Sequence, residues 1–264
     1  MSAPIIHDQP PAAPAPQPVR FPDLRGEWRI AREAARLALR APQLLSAPGG
    51  DGRSVLLIPG WQAPEASMAP LRRLLKFKGY DARHWGEGIN RGNVEAYVDK
   101  LAPRVEALAK QAGKPVGLVG WSLGGVIARE IARSVPAAVH TVVTYGSPVV
   151  GGPSYTVASR SYSAADRERI NAAIAERERR LPIRTPIAAV FSRRDSIVSW
   201  PACIDRINPS VTHYEVDATH FSMGLDPSVW RVVLDQLAKG TPGESGAAAR
   251  TSGSRRRAPA GAQS

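Results

Sequence analysis

The sequence predicts an α/β domain built on a mainly parallel sheet of about six strands, with helices on both faces. Two observations predict it. Short apolar runs rich in β-formers alternate with segments of helical periodicity from residue 54 to residue 239. A serine framed by glycines, Gly120-Trp121-Ser122-Leu123-Gly124, falls where one such run passes into a helical segment. The 264 residues suffice for one sizeable core, and 43% hydrophobic and 22% charged residues suit a globular domain.

Residues 1–20 are rich in proline and alanine and read as an extended, disordered segment. The domain spans 21–239 and opens on a basic amphipathic helix, 24–41, with Trp28, Ala31, Ala35 and Leu39 at helical spacing. This helix packs on the domain; a weak peripheral contact with a membrane surface is the alternative. Strands follow at 54–60, 80–85, 115–121, 140–148, 186–192 and 211–217. Helices fall at 67–79, 93–113 (interrupted by Pro103 and ended by Gly113), 122–135 and 227–239. Residues 151–184 break the rhythm. Their helical stretch, 163–180, opens on a Ser163-x-x-Asp166 box and alternates Arg with Glu. This insert is either a small cap over the carboxyl edge of the sheet or an ordinary crossover helix. Residues 240–264, with Arg255, Arg256 and Arg257 together, read as a disordered basic tail.

Composition excludes several classes of function. Cys203 is the single cysteine, so no internal disulfide forms and a reducing, cytoplasmic compartment is expected. No run reaches the roughly 20 apolar residues of a membrane span, and residues 1–18 lack the pattern of a signal peptide. The net charge of +12 accompanies no nucleic-acid recognition motif, so no nucleic-acid partner is expected. The oligomeric state is not legible.

The serine carries the chemistry. A hydroxyl becomes a competent nucleophile only beside a base that is itself oriented by an acid. Gly120 and Gly124 permit the tight strand-to-helix turn that would present Ser122. In sheets of this kind ligands bind at the carboxyl ends of the strands. Asp195 follows the fifth strand in "FSRRDSIVSW" and His220 follows the sixth in "VDATHFSMG", completing the chain order Ser, Asp, His. His7 lies in the N-terminal segment, His84 precedes the serine, His140 begins a strand and His213 lies inside one. Asp205 and Asp217 compete with Asp195, but Asp217 shares the loop of His220. An oxyanion needs two backbone donors. Leu123 supplies one, and Trp61 in "IPGWQAPEAS" the other, with Gln62 next in line.

On "LLIPGW", "GWSLGG", "SRRDSIV" and "DATHFSMG" the chain resembles the α/β-hydrolase superfamily, most of all bacterial lipase/esterase-like members, over residues 50–240. The resemblance implies a compact α/β-hydrolase fold and a serine hydrolase with no metal or organic cofactor. The chain departs from the larger members in lacking their first two antiparallel strands. It also carries Pro59-Gly60 where many lipases have His-Gly, and Trp121 where a histidine is common.

Trp61, Trp121, Tyr145, Trp200, Phe221 and Met223 fall near the same edge. Of these, Trp121, Trp200 and Phe221, with Gln62 and Ser147, are the expected substrate-binding residues. A small-molecule or lipid carboxylic ester is the expected substrate. An acyltransferase or thioesterase on the same triad, or a non-catalytic binding module of the same fold, are the alternatives.

Overall fold

The computed structural model describes residues 3–19, 39, 42 and 44–239. The helix expected at 24–41 lies outside them apart from Leu39, as does the tail 240–264. In chain order the strands are Ile5–His7 (β1), Ser54–Ile58 (β2), Asp81–His84 (β3), Val116–Trp121 (β4), Val139–Tyr145 (β5), Ile187–Phe191 (β6) and Val211–Glu215 (β7). The helices are Ala69–Phe77 (α1), Val94–Ala112 (α2), Leu123–Ser134 (α3), Ala164–Arg180 (α4) and Pro227–Ala238 (α5). The sheet runs β1-β7-β6-β5-β4-β2-β3, parallel throughout except for β1.

Register explains the two-sided core. Leu57, Val119, Val143 and Ala188 lie side by side across four strands, and Leu71, Leu75, Val233 and Leu237 of α1 and α5 cover that face. One residue back, Leu56, Leu118, Val142 and Ile187 line the other face under Leu101, Val105, Ile127 and Ile131 of α2 and α3. Consecutive residues are therefore buried on opposite faces, which is why these strands read as unbroken apolar runs. Each Val, Leu or Ile among them contributes about 1.5–3 kcal/mol of burial.

Two expectations are corrected. β1 adds a seventh strand inside the segment read as disordered, pairing Ile5 with Glu215 and His7 with His213. The chain then passes the β6 end of the sheet. Pro11 O accepts from Arg206, Ala13 packs on Phe191, Val198, Cys203 and Ile204, and Gln17 N–H donates to Ser199 Oγ. An exposed sheet edge offers ready partners to an already extended chain. Secondly, α2 runs unbroken through Pro103. Pro103 and Asp99 are both exposed, so the carbonyl that loses its donor belongs to the solvent side of the helix. The insert, left open between a cap and a crossover helix, holds more than one helical piece. It folds as 3₁₀ turns at Gly152–Tyr155 and Val157–Ser161 followed by α4, whose N-cap Ser163 accepts from Asp166 N–H at 3.1 Å. Val157 N–H donates to Ile197 O at 3.0 Å, and Ser199 N–H to Tyr155 O at 2.9 Å. These bonds join the insert to the loop after β6.

Candidate active site

Ser122 stands between β4 and α3 at φ 54° and ψ −123°. It and Gln62 are the non-glycine residues with positive φ among those described. A side-chain-bearing residue in this region costs on the order of 1–3 kcal/mol, so the surroundings must hold it there. Ser122 N–H donates to Tyr145 O at 2.9 Å, and Ser122 O accepts from Gly125 N–H at 3.0 Å. The flanking glycines are steric requirements. A Cβ on Gly120 would overlap the backbone of Gly124 and Gly125; one on Gly124 would overlap the carbonyls of Ile58 and Pro59. A Cβ on Gly125 would overlap Ser147 Oγ.

His220 follows β7 and Asp195 follows β6. Their side chains meet, with His220 Nδ1 2.7 Å from Asp195 Oδ2 and both 2% exposed or less. Asp195 Oδ1 accepts from Ile197 N–H at 2.9 Å and Val198 N–H at 2.8 Å. The carboxylate is thus fixed by its own loop while the other oxygen holds the imidazole. Trp121 packs against His220 with ring centroids 5.6 Å apart, and Phe221 lies 5.9 Å from Trp121. A Cβ on Gly146, whose φ is +59°, would come within 3.0 Å of His220 Nδ1. The end of β5 therefore also bounds the imidazole.

The loop after β2 brings Gly60 against the β4–α3 turn, where its absent Cβ would lie 3.2 Å from Ser122 Cβ. Trp61 and Leu123 border the same cavity as Ser122, and their amides donate to no protein acceptor among the described residues. Leu123 opens a helix, where the first N–H groups lack intrahelical partners. Gln62 is excluded as a donor because its N–H is 2.7 Å from Asn90 O. Asn90 was not singled out in the sequence. It is fully buried, its Nδ2 donates to Pro59 O at 2.8 Å, its N–H to Ala63 O at 3.1 Å, and its Oδ1 accepts from Gly92 N–H. A buried asparagine in a polar loop carries no periodic signal. The neighbouring Gly88 and Gly92 mark only a turn.

A cavity of about 400 Å³ opens beside Ser122. None of the five residues expected to line it does so. Trp200 stacks on Phe191 with Arg193 over its other side, Ser147 sits beneath Gly125, and Gln62 is exposed in its turn. Trp121 and Phe221 border the imidazole instead. Its aliphatic wall comes from Val126 of α3, Val157 of the insert, Ile170 and Ile174 of α4, and Ile197, while Arg91, Glu95, Glu130 and Arg177 add charge to the lining. Tyr145 and Met223 are core residues.

Three of the rival groups are engaged elsewhere. His213 Nε2 accepts from Asp205 N–H, Asp205 binds Arg129 at 2.7 Å, and Asp217 pairs with Arg194. Burial pushes the Cys203 thiol well up, which keeps it protonated and unreactive. Among the described residues no group of three His, Cys, Asp or Glu side chains forms a metal site, and no helix is long and apolar enough to cross a membrane.

Solved structures with this fold include a metagenome-derived lipolytic enzyme, 15% identical, with a TM-score of 0.55, covering 73% of this chain and 94% of that one. The monoacylglycerol lipase of Paleococcus ferrophilus is 17% identical with a TM-score of 0.53, covering 72% and 96%. The N-formylmaleamic acid deformylase of Pseudomonas putida S16 is 19% identical with a TM-score of 0.51, covering 72% and 94%. At these identities the likeness is one of fold. Among curated proteins none matches this chain by sequence. Residues 55–260 match the sequence model of the alpha/beta hydrolase family, and the chain belongs to that family.

Proposed function

We propose that the protein is a serine hydrolase that cleaves carboxylic esters through an acyl-enzyme. The observation that carries this is the buried His220–Asp195 pair, 2.7 Å apart, whose imidazole packs on Trp121, the residue before a serine held at φ 54° at the head of α3. Asp195 holds the His220 tautomer that carries its proton on Nδ1, leaving Nε2 to act as base. His220 takes the Ser122 proton as Oγ attacks the ester carbonyl. The Trp61 and Leu123 N–H groups stabilise the oxyanion. His220 then protonates the departing alkoxide; water, deprotonated by the same nitrogen, attacks the acyl carbon, and Ser122 Oγ leaves with the proton returned by His220, freeing the acid. None of these steps requires a metal or organic cofactor.

The aliphatic cavity supports an ester with an apolar chain, as do fold neighbours named as a lipolytic enzyme and a lipase. The neighbouring deformylase is a reminder that this fold hosts other chemistry. One buried, protonated cysteine suits a reducing cytoplasm, and a small-molecule or lipid ester is the partner proposed.

The test is rapid mixing with p-nitrophenyl octanoate, followed by mass analysis of the quenched protein. A burst of nitrophenol with an octanoyl adduct, both absent in Ser122→Ala, is the expected outcome. Hydrolysis undiminished in Ser122→Ala would refute the assignment. Running the same reaction with an added alcohol separates hydrolysis from acyl transfer by its product.

A further inference from the structure

The cavity has a direction and an end. It begins at Ser122, Trp61 and Leu123, beside the proposed oxyanion donors, and His220, Trp121 and Phe221 take no part in its wall. A leaving group must depart toward His220, which protonates it. The cavity therefore lies on the acyl side of the ester. From Leu123 it follows α3 through Val126 to Glu130, and α4 faces it with Ile170, Ile174 and Arg177. Among the residues of α4, Ile170 and Ile174 are the branched aliphatics, and both line the groove. At its far end Arg177 meets two carboxylates from separate helices, Glu130 at 3.3 Å and Glu95 at 3.7 Å.

We propose that the groove between α3 and α4 is an acyl-chain subsite, and that Arg177, tied to Glu130 and Glu95, closes it and sets a preference for acyl chains of medium length. This rests on the acyl-enzyme chemistry proposed above. The helix gives the length. From Ser122 to Glu130, eight helical residues advance about 12 Å. An extended chain advances about 1.2 Å per bond, so about ten bonds span it. This points to acyl chains of about eight to twelve carbons. Within the groove each added methylene leaves water for an apolar wall. Beyond it, the next carbon must part a guanidinium from two carboxylates or return to water, and the gain per carbon stops.

The experiment measures kcat/KM for p-nitrophenyl esters from acetate to palmitate, below their aggregation limits, for wild type, Arg177→Leu and Ile174→Trp. Wild type is expected to rise about two- to fourfold per methylene and to break near ten carbons. Arg177→Leu removes the charge and extends the apolar wall. Its break moves two to four carbons longer, raising the myristate-to-decanoate ratio about fivefold or more. Ile174→Trp obstructs the groove midway and moves the break below eight carbons. Arg177 is half-exposed, so its replacement leaves the core intact, and the tryptophan variant tests the same groove from another position. A wild-type series flat in chain length, or a break common to all three proteins, overturns the subsite while leaving Ser122 chemistry standing. If no ester is turned over and a fluorophosphonate leaves Ser122 unlabelled, the hydrolase assignment itself falls, and the subsite with it.

Discussion

Ser122 and Ile174 face the same cavity from elements held by different forces. The serine stands between β4 and α3, where Val119, Ile127 and Ala128 are fully buried and glycines bring backbone against backbone. α4 is a polar helix whose one buried residue is Glu178. Glu178 accepts from Arg129 at 3.2 Å, Arg133 at 2.6 Å and Asn208 at 2.7 Å, and Asp205 holds Arg129 from the other side. The contrast teaches a division of labour. The serine is fixed by close packing, which tolerates almost no displacement. The α4 wall is fixed by buried charge pairs, which salt screens little but which cannot lose one partner without stranding a buried charge.

The largest expected effect belongs to the packed region. Asp195→Asn keeps the shape of the triad but removes the acceptor that selects the His220 tautomer. A loss of kcat on the order of 10⁴ is expected with little change in Tm, measured on an octanoate ester. A small loss would mean that the 2.7 Å contact with His220 is structural only.

Next come two substitutions that set the regions side by side. Glu178→Ala leaves the buried Arg129 and Arg133 short of a carboxylate, at a cost of about 3–5 kcal/mol. Gly124→Ala forces a methyl into the carbonyls of Ile58 and Pro59, which are backbone atoms and cannot swing aside; about 1–3 kcal/mol is expected. Thermal denaturation ranks them by stability, and activity separates them. Gly124→Ala should lower kcat for every ester, because the oxyanion loop must shift. Glu178→Ala should act chiefly on the dependence on chain length. Equal loss across all chain lengths in both variants would erase the distinction between the regions.

The smallest effect is a titration. Burial lowers the His213 pKa from 6.5 to about 4, and its Nε2 accepts from Asp205 N–H within the cluster that anchors α4. The neutral imidazole is the folded form. The unfolded chain binds a proton first as pH falls, so stability present above pH 6.5 is lost progressively toward about pH 4. Hydrogen exchange at pH 5 should therefore quicken around Asp205 and α4 before it does around β4 and α3. His213→Gln, which retains an acceptor but does not titrate, should blunt that difference. Uniform quickening in both proteins would count against the anchor.

What was legible in the sequence follows the same division. β2, β4, β5 and β6 announce themselves as apolar runs because both their faces are covered, and Ser122 and Asp195 follow from where β4 and β6 end, while His220 follows the less apolar β7. β1 was missed because Ile5, Ile6 and His7 acquire a strand's identity only from β7 beside them. The cavity wall was misassigned for a related reason. Aromatic residues at strand ends suggest a pocket, yet Trp200 finds Phe191 and Tyr145 finds Met68. Ile170 and Ile174 sit in a helix that reads as solvent-facing, and only the fold turns them toward Ser122. Asn90 acts through four backbone groups of a loop, a role that no spacing encodes.

The most direct measurement is the intact mass of the protein after treatment with an alkyl fluorophosphonate, beside Ser122→Ala. An activated serine at the β4–α3 turn predicts a single adduct that maps to Ser122 and is absent from the variant. A folded wild-type protein that takes no adduct, or one that takes it at another residue, would contradict the proposed chemistry.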